Sequence, residues 1–104
     1  MRISKDNIHA HELIGLDLVV EESRDPTLQG LNGKIMFESR NMLYLKVSNS
    51  SKGYRIKAIP KDIARFLFIL PDGSRCMVEG KDLIGRPEDR IERIERVMIA
   101  YGRR

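Results

Sequence analysis

The chain has 104 residues, 41% of them hydrophobic and 33% charged, with a net charge of +4, which suits one domain with a single core and is too little for two. No apolar run approaches the roughly 18 residues of a membrane span, and the opening Met-Arg-Ile-Ser-Lys-Asp lacks a signal-peptide core. One cysteine, Cys76, and two histidines exclude an internal disulfide and a zinc ribbon built within the chain. A reducing, cytoplasmic setting is expected, with no membrane partner.

In chain order, residues 1–15 read as a lead followed by a short helix from Asn7 to Ile14, with Asp6 or Asn7 as N-cap and Gly15 as its stop. His9 and His11 stand two apart, so on a helix they diverge and cannot clamp one metal. The next 70 residues, 16–85, carry strand signals. Leu16 to Glu22 alternates, with Leu16, Leu18 and Val20 predicted inward, before the turn Asp25-Pro26-Thr27. The central hairpin follows. Gly33, Ile35 and Phe37 share one face against Lys34, Met36 and Glu38, and Leu43, Leu45 and Val47 alternate with Met42, Tyr44 and Lys46. Ser39-Arg40-Asn41 supplies the turn between them. Past the polar loop 48–53, Tyr54, Ile56 and Ala58 are predicted inward against Arg55, Lys57 and Ile59.

Pro60-Lys61-Asp62 breaks the run. Ala64, Phe66, Phe68 and Leu70 then alternate with Arg65, Leu67 and Ile69 in a strand expected to be buried on both faces. Pro71-Asp72-Gly73 turns into a last strand, Arg75 to Glu79, with Cys76 and Val78 inward and Cys76 read as a small core residue. Short strands at this spacing, with no residues left for crossover helices, predict a mainly β, antiparallel barrel. Residues 86–104 open on Arg86-Pro87-Glu88-Asp89 and carry the stripe Ile91, Ile94, Met98 and Tyr101, which predicts a C-terminal helix with a basic tail.

Charge is unevenly distributed. Residues 1–33 carry 3 basic and 6 acidic groups, residues 34–65 carry 8 and 2, and residues 66–104 carry 8 and 7. A basic middle third on a small β domain favours a polyanion, most often nucleic acid. The candidate contacts are Lys34, Arg40, Lys46, Lys52, Arg55, Lys57 and Lys61, with Arg86 and Arg90 at the start of the last helix. Lys46 and Lys57 are read as adjacent outward positions able to track one run of phosphates. Few aromatics, three Tyr and three Phe, argue against a platform for stacking single strands. Ile8 and Leu13, with the outward Met36 and Met42, form an apolar excess suited to a protein partner.

Catalytic chemistry is not legible. There is no Walker or dinucleotide glycine loop, no serine–histidine–acid arrangement, and no paired carboxylates. Glu38 reads as a lone carboxylate near the turn, hydrogen-bonded to backbone. No catalytic and no metal-ligating residue is assigned.

Three blocks carry a resemblance when taken together. They are Ile8-His9-Ala10-His11-Glu12-Leu13-Ile14-Gly15-Leu16; Gly30-Leu31-Asn32-Gly33-Lys34-Ile35 running on to Glu38-Ser39-Arg40-Asn41-Met42-Leu43; and Phe66-Leu67-Phe68-Ile69-Leu70-Pro71-Asp72-Gly73 with Val78-Glu79-Gly80 and Gly85-Arg86-Pro87-Glu88-Asp89-Arg90. In that order the chain resembles protein component 1 of archaeal ribonuclease P, the relative of the eukaryotic 29-kilodalton subunit. The resemblance implies an Sm-like (SH3-like) barrel of about six strands with helical extensions. It implies a non-catalytic subunit of a ribonucleoprotein endonuclease whose RNA, with Mg2+, removes the 5′ leader of precursor tRNA. The implied partners are that RNA, a zinc-ribbon protein subunit, other ribonuclease P proteins and, indirectly, precursor tRNA. The alternative is an Sm- or SH3-like module that binds protein, or a general RNA-binding module of another ribonucleoprotein.

Overall fold

The computed structural model of the chain describes residue 8, residues 12–49 and residues 53–85. Six strands, β1 (Asp17–Ser23), β2 (Asn32–Glu38), β3 (Met42–Asn49), β4 (Gly53–Pro60), β5 (Ala64–Ile69) and β6 (Arg75–Glu79), form one antiparallel sheet in the order β4-β3-β2-β1-β5-β6. Short 3-10 turns follow β4 (Lys61–Ile63) and β6 (Gly80–Leu83). No α-helix occurs among the described residues. The expected helices over 7–14 and 86–104 fall largely or wholly outside them.

The expected closed barrel is not formed, because among the described residues β4 and β6 share no ladder and the sheet stays open between them. It nevertheless bends over one core. Leu43, Leu45 and Ile59 near one edge belong to the same buried cluster as Phe66, Phe68, Cys76 and Val78 near the other, and Leu18, Val20 and Ile35 lie between. The predicted inward sets of β1, β5 and β6 are the buried ones: Leu18 and Val20, Phe66 and Phe68, Cys76 and Val78. The outer side of β5 is only half-buried at Leu67 and Ile69, so this strand is not covered on both faces.

The turns follow the expected chemistry. At Asp25-Pro26-Thr27 one carboxylate oxygen accepts from both the Thr27 amide at 3.0 Å and its hydroxyl at 2.7 Å. Those two bonds favour the ionised form and hold the Asp25 pKa below its ordinary value. In the β5–β6 hairpin the Gly73 amide donates to Leu70 at 2.8 Å, with Gly73 at φ 88°, a conformation that suits glycine.

Two strands depart from the alternation read in the sequence. In β2 the pairing with β3 slips between Ile35 and Phe37, so that Ile35 meets Leu45 while Phe37 meets Tyr44. One extra residue is accommodated as a bulge, which reverses the facing of everything after it. Phe37, expected beside Ile35 in the core, is 57% exposed, and the Glu38 side chain turns in to 3% exposed. In β4 the register sets Ile59 opposite Leu43, Lys57 opposite Leu45 and Arg55 opposite Val47. Ile59 is therefore buried, and Tyr54, Ile56 and Ala58, expected inside, are exposed. As an edge strand, β4 tolerates Arg55 and Lys57 on its inner side, where Arg55 is exposed and Lys57 half-buried.

Candidate nucleic-acid interface

The facing of β2, β3 and β4 sorts the predicted cations into three environments. Lys34 and Lys46 are directly opposed across β2 and β3, and Ile56 is opposite Lys46 on β4, so these three form one row on the outer face. Lys34 lies 3.2 Å from Asp17 and donates to the Gly15 carbonyl at 3.2 Å. With both side chains about half exposed, such a pair contributes about 0–1 kcal/mol and leaves the ammonium accessible. The Lys46 ammonium stands 4.4 Å from the centre of the Tyr54 ring, a cation–π contact at the surface.

Arg55 and Lys57 occupy the other side of the sheet, opposite Val47 and Leu45. Lys46 and Lys57 thus face apart, and the single phosphate track expected from them does not exist. Lys57 is near enough to Asp25 to lower its pKa through space, a smaller effect than the Thr27 hydrogen bonds. Arg40 is exposed on the β2–β3 turn. Lys52, Arg86 and Arg90 lie outside the described residues.

Lys61 is the third environment, and here the expectation of a surface cation is corrected. The side chain is fully buried. Its ammonium bonds to Glu38 Oε2 at 2.7 Å, to the carbonyls of Leu83 at 2.8 Å and Gly85 at 3.1 Å, and to that of Arg40 at 3.2 Å. Its backbone amide donates to Asn41 at 2.9 Å, and the Gly85 amide donates to Arg40 at 2.7 Å. Lys61 therefore ties the β2–β3 turn to the segment leaving β6, across the gap where the sheet is open. Glu38, expected to bond backbone amides, is its ion-pair partner. No local signal in the sequence marks this pair, since 23 positions separate the two residues and the bulge that turns Glu38 inward is invisible to a period-two reading.

The residues predicted to meet a protein partner also divide. Ile8 and Leu13 are fully buried in the chain's own core, Met42 is half-buried, and Met36 is 45% exposed. The core at that end needs the two aliphatic side chains for itself, so only Met36 and part of Met42 are available.

An open cavity between the ends of β1, β5 and β6 is lined by Glu22, Arg24, Asp62, Arg65, Glu79 and Lys81 among others. Arg65 is held there by Glu22 at 2.9 Å and Glu79 at 2.6 Å, and the Glu79 hydrogen bond, then the two carboxylate charges, push its pKa up. An arginine so engaged is a poor anion receptor. Among the described residues no group of three or more His, Cys, Asp or Glu is placed to hold a metal ion.

The model of the family described as ribonuclease P/MRP, subunit p29, matches residues 6–93. The chain belongs to that family. Among its relatives, ribonuclease P protein component 1 of Methanocaldococcus jannaschii is 39% identical over 99 residues, covering 95% of this chain and 99% of that protein. The protein of the same name from Methanococcus aeolicus is 45% identical over 91 residues, covering 88% of this chain and 91% of its own. Among solved structures, Mth11, described as a homologue of the human RNase P protein Rpp29, aligns with a TM-score of 0.55 at 37% identity, over 76% of this chain and 96% of its own. Family membership, with relatives named ribonuclease P protein component 1, makes this chain a protein component of that ribonucleoprotein endonuclease.

Proposed function

We propose that this p29-family chain is an RNA-binding subunit of ribonuclease P that supports the catalytic RNA in removing the 5′ leader of precursor tRNA. The family match over residues 6–93 carries the reading. The distribution of charge supports it: the outer face of β2, β3 and β4 presents Lys34 and Lys46, and the one carboxylate of those strands, Glu38, is turned inward. Cations on such a face neutralise phosphates where RNA helices crowd together, which lowers the magnesium the RNA needs to fold. In this reading Mg2+ is held by the RNA and none by this chain. The RNA contacts are Lys34, Arg40, Lys46, Arg55 and Lys57, joined by Lys52, Arg86 and Arg90, while Lys61 is withdrawn. A zinc-ribbon subunit of the same cytoplasmic enzyme is the proposed protein partner, meeting Met36 and Met42.

Reconstitution tests the function. Cleavage of precursor tRNA by the RNA subunit and the remaining proteins should demand less Mg2+ when this chain is added. An unchanged Mg2+ requirement would reject the proposal. The isolated protein should cleave no RNA under any Mg2+ concentration, a result checked by incubating rigorously purified chain with labelled precursor tRNA.

Binding to the cognate RNA should also be strongly salt-dependent, because each phosphate contact releases counterions. Lys34→Gln or Lys46→Gln should each flatten the log–log salt slope by about one unit. A weak slope in the wild type, together with tight binding to a protein subunit, would favour a protein-interaction module instead.

A further inference from the structure

Three of the six aromatic residues, Phe37, Tyr44 and Tyr54, gather on the outer face of β2–β3–β4. Phe37 and Tyr44 are opposed across the strands with ring centres 5.6 Å apart. Four residues farther along β3, a distance of about 13 Å, Ser48 is opposite Tyr54. The row Lys34–Lys46–Ile56 runs between these two aromatic positions. Phe37 and Tyr54 are each more than half exposed. The low aromatic count weighed against a stacking surface, but the fold concentrates half of those rings in one place.

The placement has features that chance exposure does not explain. Phe37 faces out only because the bulge reverses the strand, and bulges recur where a side chain must be re-aimed toward a site. Lys34 and Lys46 are directly opposed on neighbouring strands, one ammonium beside Asp17 and the other over the Tyr54 ring, so two cations lie side by side on this face. No outward carboxylate on β2, β3 or β4 opposes an incoming phosphate; Asp17 on β1, paired with Lys34, is the nearest acid in that row. A protein partner of apolar chemistry would have to desolvate Lys46 at the centre of the face, and lysine is depleted from the cores of such interfaces. Alternating cations and exposed rings are what a single-stranded polynucleotide requires: a charge for each phosphate and a flat surface for each unpaired base.

We propose that the outer face of β2–β3–β4 binds unpaired RNA, with bases stacking on Phe37 and Tyr54 and the intervening phosphates held by Lys34 and Lys46. The inference rests on the RNA-binding reading above and adds the mode: single-stranded segments are taken by stacking, in addition to phosphate contacts with folded RNA. Tyr44 backs Phe37 as the second ring of one stacking position.

The test uses the full chain with two probes, a single-stranded oligoadenylate of 12 nucleotides carrying one 2-aminopurine and a blunt RNA duplex of equal length. Wild type should bind the single strand and quench its fluorescence. Loss of stacking weakens binding by about fivefold or more per ring, so Phe37→Ala/Tyr54→Ala should weaken it by roughly 25-fold and abolish quenching. Duplex affinity and both salt slopes should stay near wild type, because the lysines remain. Phe37→Leu/Tyr54→Leu keeps the apolar surface and the strand while removing the π faces, and should behave like the alanine pair. Unchanged single-strand affinity in both double variants would overturn the inference while leaving the RNA-binding reading intact. Loss of binding to another ribonuclease P protein in the alanine pair, with single-strand affinity unaltered, would reassign the face to protein. Failure of the wild type to bind either probe or the cognate RNA would sink the RNA-binding reading itself.

Discussion

Lys61→Met should lower the folding stability of the chain by about 3–5 kcal/mol, the cost of leaving a buried charge without its partner. The lysine stem is matched in length by methionine, so packing changes little and the electrostatic loss dominates. What is lost is a cation that satisfies Glu38 and the carbonyls of Arg40, Leu83 and Gly85 at once, at distances from 2.7 to 3.2 Å. With three N–H groups for these four oxygens, the ammonium is fully engaged. Removing it takes the ammonium, 2.7 Å away, from the Glu38 carboxylate, which is 3% exposed in the protein interior. Lys61→Met/Glu38→Met should be less damaged than the single lysine variant, because both members of the ion pair leave together, although the Leu83 and Gly85 carbonyls lose the ammonium as a donor. Urea denaturation of the three proteins measures this. A Lys61→Met variant within 1 kcal/mol of wild type would mean that the pair holds nothing together. Under conditions where the variant is still folded, its salt slope for RNA should equal that of wild type, which separates a structural lysine from a phosphate ligand.

How much of this was legible beforehand depends on whether local alternation survived the tertiary context. In β1, β5 and β6 it did, since Leu18 and Val20, Phe66 and Phe68, and Cys76 and Val78 alternate without interruption where the predicted facing matters. A bulge also lies in β1, between Val20 and Glu22, but it falls after the last core residue. The β2 bulge falls in the middle of its pattern, so the same kind of irregularity reversed Phe37 and Glu38. In β4 the residues Tyr-Arg-Ile-Lys-Ala-Ile present an apolar set in one phase and a basic set in the other, and period two alone selects the apolar set. The edge position overrides it, because facing Ile59 inward beside Leu43 brings Arg55 and Lys57 to the open rim. The candidate site inherited both errors. The basic middle third was visible in the sequence, but its division into an outer row, an inner edge and a buried tie depends on register and on a contact between residues 38 and 61. Family membership came from the order of three sequence blocks and not from charge or periodicity.

Gly80→Ala should be the most disruptive single-methyl change in the described chain, at about 3 kcal/mol, the upper range for overpacking. Gly80 opens the 3-10 turn after β6 and is buried against the turn after β4. A Cβ there would overlap the Lys61 carbonyl and stand 2.7 Å from that of Ala64. Both obstacles are backbone, so no side chain can rotate away and the two turns must part. Parting them draws Leu83 and Gly85 from the Lys61 ammonium, so the loss of close packing and the loss of the buried tie are coupled. Gly73→Ala is the control. That site has open space but φ 88°, and the left-handed conformation alone costs a residue with a Cβ about 1–2 kcal/mol. The order expected from urea midpoints is therefore wild type, then Gly73→Ala, then Gly80→Ala. Because the two turns close the gap between β4 and β6, Gly80→Ala should also raise amide exchange at Ile59 and Lys61 more than at Val20. A Gly80→Ala protein as stable as Gly73→Ala, with exchange unchanged at those amides, would show that the turns do not meet as closely as described and that the open sheet is held by its core alone.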